Sequence, residues 1–234
     1  MNAIPTAQRH HIALSLAHRW FAFFEAPGGD LEAHLAIFDP QVRLSGHRGQ
    51  RLFAQDHESL RAWFAAVPDE VSSHHILHSV YEDLAPDSGR LAFLVAYQAP
   101  GADGAVHGSI ISYETQIAFG GEPRFLALDK TPMLPNTRPV FEPSWASNRV
   151  LARLHAELGG LGEAVDANSQ DLRSAMGDNV NALSVLTNAP DGSSSYEALA
   201  SWIGGEPAAP SSLRLAVRDD VREPLPTIQP LVPA

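Results

Sequence analysis

The sequence predicts an α+β fold with three N-terminal helices packed on a strongly curved antiparallel sheet, followed by a helical, incomplete second copy. Apolar residues recur at helical spacing up to Pro68 and with a period of two after it. Turn-forming segments then divide the strand-like part into four pieces, as in an antiparallel meander. Helices followed by a meander are typical of a domain whose helices cover one face of a sheet, and bending makes that face a cone-shaped α+β barrel.

Three helices are predicted before Pro68. The first carries Ile12, Leu16 and Trp20 on one face and ends at the breaker APGGD. The second begins after Asp30 and ends at the DP dipeptide, since a residue before proline avoids helical angles. The third has an apolar stripe that includes Trp63, and the short segment QVRLSG before it predicts a strand.

Four longer strands are predicted after the helices. They cover residues 72–84, 90–99, 105–119 and 124–131, with turns at PDSG, PGADG and GGEP. The chain is therefore divided into an α+β cone domain at 1–133, a proline-rich linker at 134–144, a partial second copy at 145–217 and a proline-rich tail at 218–234.

The second copy is inferred from an ungapped match between residues 58–78 and 197–217. Six of the 21 positions are identical, including a tryptophan (Trp63 and Trp202), which exceeds the one or two matches usual by chance. Coincidence between two amphipathic helices that each end at proline is the alternative. Since no meander follows Val217, this copy is expected to be mainly helical, to build no sheet of its own and to end in a loose tail.

Composition narrows the classes of partner. The formal net charge is −11, and such a surface repels phosphate backbones and anionic lipid, so we expect neither nucleic acid nor membrane as a partner. The absence of cysteine excludes disulfides, thiolate nucleophiles and cysteine-based zinc sites. No segment has the pattern of a signal peptide or a membrane span, and we expect a cytoplasmic protein without cofactor or metal.

Histidines mark the segment VSSHHILHSV. Residues 74, 76 and 78 would share one face of a regular strand, and the second copy has apolar residues at the matching positions. His74 and His78 are therefore predicted on the inward face and His75 on the outer one. Buried imidazoles need hydrogen-bond partners, so the alternatives are satisfied core histidines or a functional pocket. His10, His11, His18 and His34 are expected to be exposed or interfacial.

The order of elements, with the strand HHILHSVYED and the segments GSIISYETQIAFGG and EPRFLALDK, resembles the SnoaL-like branch of the nuclear-transport-factor-2-like superfamily. Its relatives include ketosteroid isomerase, scytalone dehydratase and polyketide cyclases. The resemblance covers residues 8–133, and more loosely 145–217. It implies that His74 matches a strand histidine that holds or protonates a leaving oxygen, and that Phe125 is structural. The acidic base of ketosteroid isomerase is missing, because Ser45, Gly46 and His47 stand there.

These observations lead to three candidate catalytic residues. His74 would polarise or protonate a carbonyl or hydroxyl group, and His47 or Asp129 would move the second proton, because imidazole and carboxylate groups can exchange protons near neutral pH. His47 could equally be a surface turn residue. The candidate substrate-binding residues are Trp20, Phe24, Trp63, His78 and Tyr97, whose aromatic members could equally be plain core.

The leading hypothesis is a small-molecule enzyme of the isomerase, dehydratase or cyclase type that acts on a hydrophobic ketone- or polyketide-like substrate without a cofactor. The alternative is a non-catalytic ligand-binding or dimerisation module of the same fold. Strands 90–99 and 105–119 carry apolar residues on both faces, which predicts that both faces are covered. A homodimer in which the C-terminal segment contributes to burial is therefore expected.

Overall fold

The computed structural model describes residues 4–26, 28–67, 71–101, 104–135, 143–161, 169–177, 179–189, 193–205 and 209–231. The chain divides into two compact units. The first unit consists of Met1–Arg9 and Leu31–Ser144, and the second of His10–Asp30 and Trp145–Ala234. Most of the predicted linker, residues 136–142, lies outside the described residues. Within the described residues, no helix is both long and apolar enough to cross a membrane.

The first unit contains a six-stranded sheet of the predicted α+β type. Its strands are β1 (Phe38–Gly46), β2 (Arg51–Ala54), β3 (Ser73–Ala85), β4 (Ser88–Pro100), β5 (Val106–Ala118) and β6 (Arg124–Pro135). The order across the sheet is β2-β1-β6-β5-β4-β3, so β2 and β3 form the two edges of a strongly curved, open sheet. Strands β3 to β6 form the predicted antiparallel meander, whereas β1 runs parallel to β6.

The helices of the N-terminal region are α1 (Thr6–Glu25), α2 (Leu31–Leu35) and α3 (His57–Ala66). Helix α3 begins with a capping box, in which Asp56 accepts a hydrogen bond from the Ser59 backbone and Ser59 reaches back to the backbone of Asp56. It packs on β1 and β2 and buries Leu60 completely. Residues 10–25 of α1 belong to the second unit, so the predicted packing of three helices on this sheet stays a prediction for α1.

The two faces of the six-stranded sheet differ in exposure. The first, called the buried face here, carries Leu91, Phe93 and Val95 on β4, and none of these is more than 3% exposed. The opposite, open face carries Leu94, which is 37% exposed, and Ala96. Residues that lie directly opposite each other on neighbouring strands share a face, and the register therefore assigns every other side chain.

The second unit builds its own sheet, and the prediction of a mainly helical segment at 145–217 is wrong. Two helices, α4 (Trp145–Leu158) and α5 (Ser169–Met176), are followed by β7 (Val180–Thr187), β8 (Ser195–Gly204), β9 (Ala209–Arg218) and β10 (Thr227–Pro230). These strands form an antiparallel sheet in the order β10-β9-β8-β7. The segment that matches α3 in sequence is strand β8, because Tyr196, Ala198, Ala200 and Trp202 alternate as buried residues along it.

The proline-rich tail is also more ordered than predicted. Strand β10 pairs with β9 from Thr227 to Pro230, and Ile228 is completely buried. Ile228 belongs to the core of the second unit, together with Leu154 of α4 and Leu215 of β9. Pro230 is compatible with this arrangement because β10 is an edge strand, where a missing backbone donor can face away from the sheet.

Candidate functional site

His74 lies at the start of β3 on the buried face, as predicted. It is directly opposite Tyr97 of β4, and the two ring centroids are 5.1 Å apart with the planes tilted by 49°. His74 is only 8% exposed, and its backbone N–H donates to Ser144 Oγ over 2.7 Å. The strand start is thus anchored, and an imidazole and a phenol stand side by side on one face.

His78 lies on the open face, and its predicted place beside His74 is wrong. Ile76 pairs with Val95 and His78 pairs with Leu94, so Leu77 is an extra residue in a β-bulge. A bulge of one residue reverses the alternation of side chains beyond it. His78 is consequently exposed and shares the face of Leu94.

Asp129 holds a turn together. Its carboxylate accepts hydrogen bonds from Ser45 Oγ (2.8 Å), Gly49 N (2.7 Å), Thr131 Oγ1 (3.0 Å) and Arg48 N (3.2 Å). Burial alone would raise the pKa of Asp129, but these hydrogen bonds outweigh it and hold the pKa below its ordinary value. An anion with four donors is a weak base, and its side chain is on the opposite face of the sheet from His74.

His47 is an exposed turn residue between β1 and β2. It has a φ of 53° and is followed by Arg48 at 58° and Gly49 at 77°, a left-handed run that favours glycine. Its backbone N–H donates to Lys130 O over 3.1 Å. On β6, this turn is bonded to Lys130, whereas the row of His74 reaches β6 at position 135. These two positions are five residues apart, roughly 15 Å along the strand. His47 and His74 therefore do not meet, and the three predicted catalytic side chains are not assembled.

A second polar group on the buried face was missed by the sequence analysis. Lys130 of β6 places its Nζ 5.6 Å from the ring centroid of Phe53 and 5.5 Å from that of Trp63, the predicted substrate-binding residue on α3. Arg51 of β2 lies over the same Phe53 ring, with its Cζ 5.0 Å from the centroid. These four residues are called the cation–aromatic cluster below. Lys130 is the single lysine of the chain, which was the available signal.

Gly46 makes this cluster possible. It lies between Arg51 and Lys130 in the register of the sheet, and the Phe53 ring occupies the space that a side chain would take. A Cβ atom at Gly46 would be 2.7 Å from Phe53 Cε2 and 3.0 Å from the backbone oxygen of Lys130. Any larger residue at position 46 would displace the ring from its place between the two cations.

Trp20 and Phe24 lie on the part of α1 that belongs to the second unit. Trp20 is 2% exposed, and its ring meets that of Phe24 edge to face at 4.8 Å between centroids. Such an aromatic pair is ordinary core packing. Their role in substrate binding stays a prediction.

The second unit contains a row of histidines, His10, His11, His18 and His155, of which the first three were predicted to be exposed or interfacial. His11 Nδ1 and His155 Nδ1 are 2.8 Å apart, and the ring of His18 stacks on that of His155 at 5.5 Å and 6°. His18 and His155 are 4% and 5% exposed, and His10 stacks on His11 at 5.9 Å. His34, in the first unit, is also buried. In the described part of the chain, no three histidine or acidic side chains are arranged to hold a metal ion.

The second unit also has a cavity of about 260 Å³. It is lined by Trp145, Ser193, Ser194, Asp219, Asp220, Val221 and Arg222. Beside it, the buried Asp219 carboxylate accepts from Arg149 Nε over 2.7 Å and from the Tyr196 hydroxyl over 2.8 Å. No predicted site residue lines this cavity. Since Asp219 is already satisfied, the network is well explained as a structural one that fixes the loop after β9.

Comparisons with known proteins concern the fold. No family model and no curated protein matches the sequence. Among solved structures, a hexachlorocyclohexane dehydrochlorinase (LinA) type 2 has a TM-score of 0.48 at 11% identity, over 58% of this chain and 95% of its own. The association domain of C. elegans CaMKII has a TM-score of 0.45 at 15% identity, over 55% and 98%. A proposed scytalone dehydratase from Novosphingobium aromaticivorans has a TM-score of 0.43 at 11% identity, over 58% and 89%.

Proposed function

We propose that the first unit is a cofactor-independent enzyme of the isomerase, dehydratase or cyclase type, acting on a hydrophobic ketone- or polyketide-like molecule. The observation that supports it is the pairing of His74 with Tyr97 on the buried face. Phe93 and Tyr113 continue this face as two parallel, buried rings 5.0 Å apart, which form an apolar wall next to the pair.

His74 and Tyr97 can together carry out the chemistry that enolisation needs. The His74 imidazole removes a proton from the carbon next to a carbonyl group, and the electron pair of that C–H bond moves into an enolate. The Tyr97 hydroxyl donates a hydrogen bond to the enolate oxygen, which carries the new negative charge. His74 then returns the proton to another carbon, which isomerises the substrate, or to a β-hydroxyl group, which leaves as water.

This scheme needs only one proton carrier, because the residue that takes the proton also returns it. His47 and Asp129 are therefore not assigned a catalytic role in the proposal: the former lies on an exposed turn and the latter is occupied by four donors. Acid–base catalysis by a positioned group contributes about 10²–10⁴-fold, and this is the rate effect expected of His74.

Proton exchange measures the proposed step directly. The full chain is incubated in D₂O with a panel of aromatic ketones, and loss of the α-proton signal is followed by NMR. We expect exchange above the buffer rate, a loss of about 100-fold or more in His74→Gln, and about tenfold in Tyr97→Phe. His75→Gln is the matched control, since His75 is the next residue on the same strand but on the other face.

Two outcomes would refute the enzyme proposal. One is exchange by His74→Gln at the rate of the unmodified protein, with circular dichroism showing that both are folded. The other is the absence of exchange above buffer for every ketone of the panel.

A non-catalytic assembly module is the second candidate, and a different observation favours it. Strand β3 is an edge of the sheet, and Leu77 and Val80 on it are 58% and 55% exposed, next to Leu94 at 37%. Exposed apolar residues around a sheet edge are typical of a surface that pairs with a partner. A homodimer built on this surface would bury them.

Light scattering on the full chain tests the assembly. We expect twice the chain mass of 25.2 kDa, and the monomer mass for the double variant Val80→Glu/Leu94→Glu. Leu186→Glu, at an exposed apolar position of the second unit, serves as the control and should stay dimeric. A monomeric parent protein would rule out the dimer.

A further inference from the structure

Three exposed side chains on β3 form a row that is complementary to its own reversed copy. His78, Val80 and Glu82 alternate along the strand after the bulge, so they share the open face. Val80 is 55% exposed, and the side chain of Glu82 is 61% exposed. Strand β3 is an edge of its sheet, so the row lies at the rim of the open face. An imidazole, an apolar group and a carboxylate thus follow one another at equal spacing.

The two polar ends of the row cannot pair with each other within one chain. His78 and Glu82 are four residues apart, roughly 13 Å along the strand. Within the described part of the chain, the His78 ring has no hydrogen-bond partner. The Glu82 carboxylate is 3.6 Å from Arg90 Nη1, and the Nη2 of the same arginine is closer to Glu114, at 3.2 Å. A carboxylate accepts several hydrogen bonds, so both ends of the row can bind a partner.

A second copy of the chain supplies the matching groups. When two such rows run antiparallel with Val80 opposite Val80, each His78 lies opposite the Glu82 of the other copy. This contact is self-complementary, as a two-fold interface between identical chains requires. An axis at Tyr81 would instead place Val80 opposite Glu82, an apolar side chain against a carboxylate. The chemistry of the row therefore favours the axis at Val80.

Apolar residues surround the row. Leu77 precedes it, Leu84 follows it, and Leu94 lies opposite His78 on β4, and these leucines are 58%, 49% and 37% exposed. A contiguous exposed apolar surface with polar groups in it is typical of a protein–protein interface. A copy centred on Val80 would cover the row and the leucines next to it.

We propose that two copies of the chain associate about a two-fold axis at Val80, with the His78 ring of each copy donating a hydrogen bond to Glu82 of the other. This inference deepens the assembly candidate described above and rests on it for the statement that a dimer forms. It is independent of the proposed catalysis, because none of its residues lies on the face of His74.

The chain contains no cysteine, so a single introduced thiol reports the axis without background. Residues directly opposite each other across antiparallel strands are close enough for a disulfide. Under mild oxidation, Val80→Cys should give a covalent dimer of twice the chain mass of 25.2 kDa. At about 10 μM protein it should form about 100-fold faster than the dimer of Leu186→Cys, an exposed position of the second unit, because a dimer holds its thiols at millimolar effective concentration.

Leu94→Cys is the matched control on the same surface. Leu94 is opposite His78, so it is displaced from the axis by two residues along the strand direction. Its two copies would be about 13 Å or more apart, beyond the roughly 7 Å that a disulfide can bridge. Leu94→Cys should therefore form a covalent dimer no faster than Leu186→Cys.

A mixture of two variants tests the register. His78→Cys and Glu82→Cys each place their own thiols about 13 Å apart across the axis, so neither should form a covalent dimer alone. Mixed together, they should form the mixed disulfide, which intact-mass spectrometry separates from both homodimers. This mixed dimer keeps one unmodified contact between His78 and Glu82.

Charge reversal tests the polar contact, with the dissociation constant of the dimer measured by analytical ultracentrifugation. His78→Glu places two carboxylates opposite each other, and Glu82→Lys removes the acceptor, so each should raise the dissociation constant by about tenfold or more. The double variant His78→Glu/Glu82→Lys restores opposite charges and should return it to within a few-fold of the parent. Glu197→Lys, an exposed carboxylate paired with Arg214 in the second unit, should leave it unchanged.

The outcomes separate this inference from the two candidate functions. A dimeric parent whose Val80→Cys variant forms a covalent dimer no faster than Leu94→Cys would overturn the axis and leave the assembly candidate standing. Absence of the mixed disulfide, or a double variant as weak as the single ones, would overturn the contact between His78 and Glu82. A monomeric parent would overturn both the axis and the assembly candidate. The absence of proton exchange on ketones would overturn only the proposed catalysis.

Discussion

The histidine row of the second unit predicts that acid destabilises this unit well above the pH at which most carboxylates protonate. His18 Nδ1 and Asn148 Oδ1 are 2.8 Å apart, and Asn148 Nδ2 donates to Glu25 over 3.1 Å. The amide oxygen of Asn148 therefore faces His18, which donates from Nδ1. His11 and His155 share one hydrogen bond between their Nδ1 atoms, so one ring donates and the other accepts. Both rings of that pair cannot be protonated without breaking it.

The pKa values give the sign and size of the effect. Burial lowers the pKa of His11 to about 4, helped by the charge of His10, and burial lowers the pKa of His18 to about 4 against the hydrogen bond to Asn148. Burial also lowers the pKa of His155 well below its ordinary value. In the unfolded chain these groups bind protons near pH 6.5, so the unfolded state takes up more protons between pH 6.5 and 4. The contribution of these histidines to the stability of the second unit is complete above pH 6.5, and it is lost as the pH falls toward 4.

Each histidine with a pKa of about 4 lowers the free energy of unfolding by about 1.4 kcal/mol for each unit that the pH falls within this window. Between pH 7 and pH 5, His11 and His18 together should lower the free energy of unfolding by about 4 kcal/mol. This is a large share of the 5–15 kcal/mol typical of a domain. Glu25 is linked to the row through Asn148. The charged residues on the same helix as His155, Arg149, Arg153 and Glu157, form buried ion pairs.

Urea unfolding at a series of pH values measures this effect through tryptophan emission in a Trp63→Phe background, where the remaining tryptophans, Trp20, Trp145 and Trp202, all belong to the second unit. The double variant His11→Gln/His18→Gln keeps hydrogen-bonding groups and cannot titrate. We expect the parent to lose about 4 kcal/mol more than the variant between pH 7 and pH 5. His75→Gln/His78→Gln, on the first sheet, should follow the parent. Parallel curves for the parent and the His11/His18 variant would refute the reasoning, because other acid-sensitive groups are the same in both proteins.

Three further predictions concern stability, and each is measured by chemical denaturation. Leu215→Ala should lower the free energy of unfolding by about 3 kcal/mol because Leu215 is completely buried, whereas Leu186→Ala, at a position 72% exposed, should change it by less than about 0.5 kcal/mol. Gly204→Ala should lower the free energy of unfolding by about 1–3 kcal/mol, since a Cβ there would lie 2.4 Å from the backbone oxygen of Asn179. Gly121→Ala is the control: a Cβ there would meet no atom within 4 Å, so the stability should not change. Asp129→Ala should cost about 2 kcal/mol because four donors of the β1–β2 turn lose their acceptor, and an unchanged midpoint would contradict this role.

The meander of the first unit was predictable because its signals are local. Strands β3 to β6 coincide with the four predicted segments to within a few residues, since alternation and turn residues both act over short stretches. Strand β2 was missed because its four residues, Arg51–Ala54, are too few to show a period. The face of His74 was predicted from the apolar residues at the matching positions of the second copy, Leu213, Leu215 and Val217, and these residues also lie on a strand, β9.

The face of His78 depended on a feature that the sequence does not display. The extra residue, Leu77, forms a bulge. Both Ile76 and Leu77 are apolar residues that a regular strand could also carry at these positions. The choice between the two apolar residues is made by the pairing with Val95 and Leu94 of β4. Register of this kind is decided between strands and is not a property of either strand alone.

The segment that forms β8 was wrongly predicted as a helix, although its sequence also carries the signal of a strand. Buried residues alternate from Tyr196 to Trp202, which is the period of a strand. The alanines between them favour a helix in isolation, and the match to α3 reinforced that choice. In the structure the matched leucines differ, because Leu60 is completely buried in a helix whereas Leu199 is 39% exposed on a strand. Identity at six positions therefore did not imply the same secondary structure.

The bulge at Leu77 separates the two functions that are proposed for β3. Before the bulge, His74 faces the buried side with Tyr97, where the proposed chemistry takes place. After it, His78 and Val80 are exposed on the open side, where the proposed assembly surface lies. A regular strand would have turned His78 toward the buried face and Leu77 toward the open one, so that a second imidazole entered the apolar side of the sheet. One inserted residue thus separates the two proposals in space. Because of this separation, Val80→Glu can test assembly without touching the residues that His74→Gln tests.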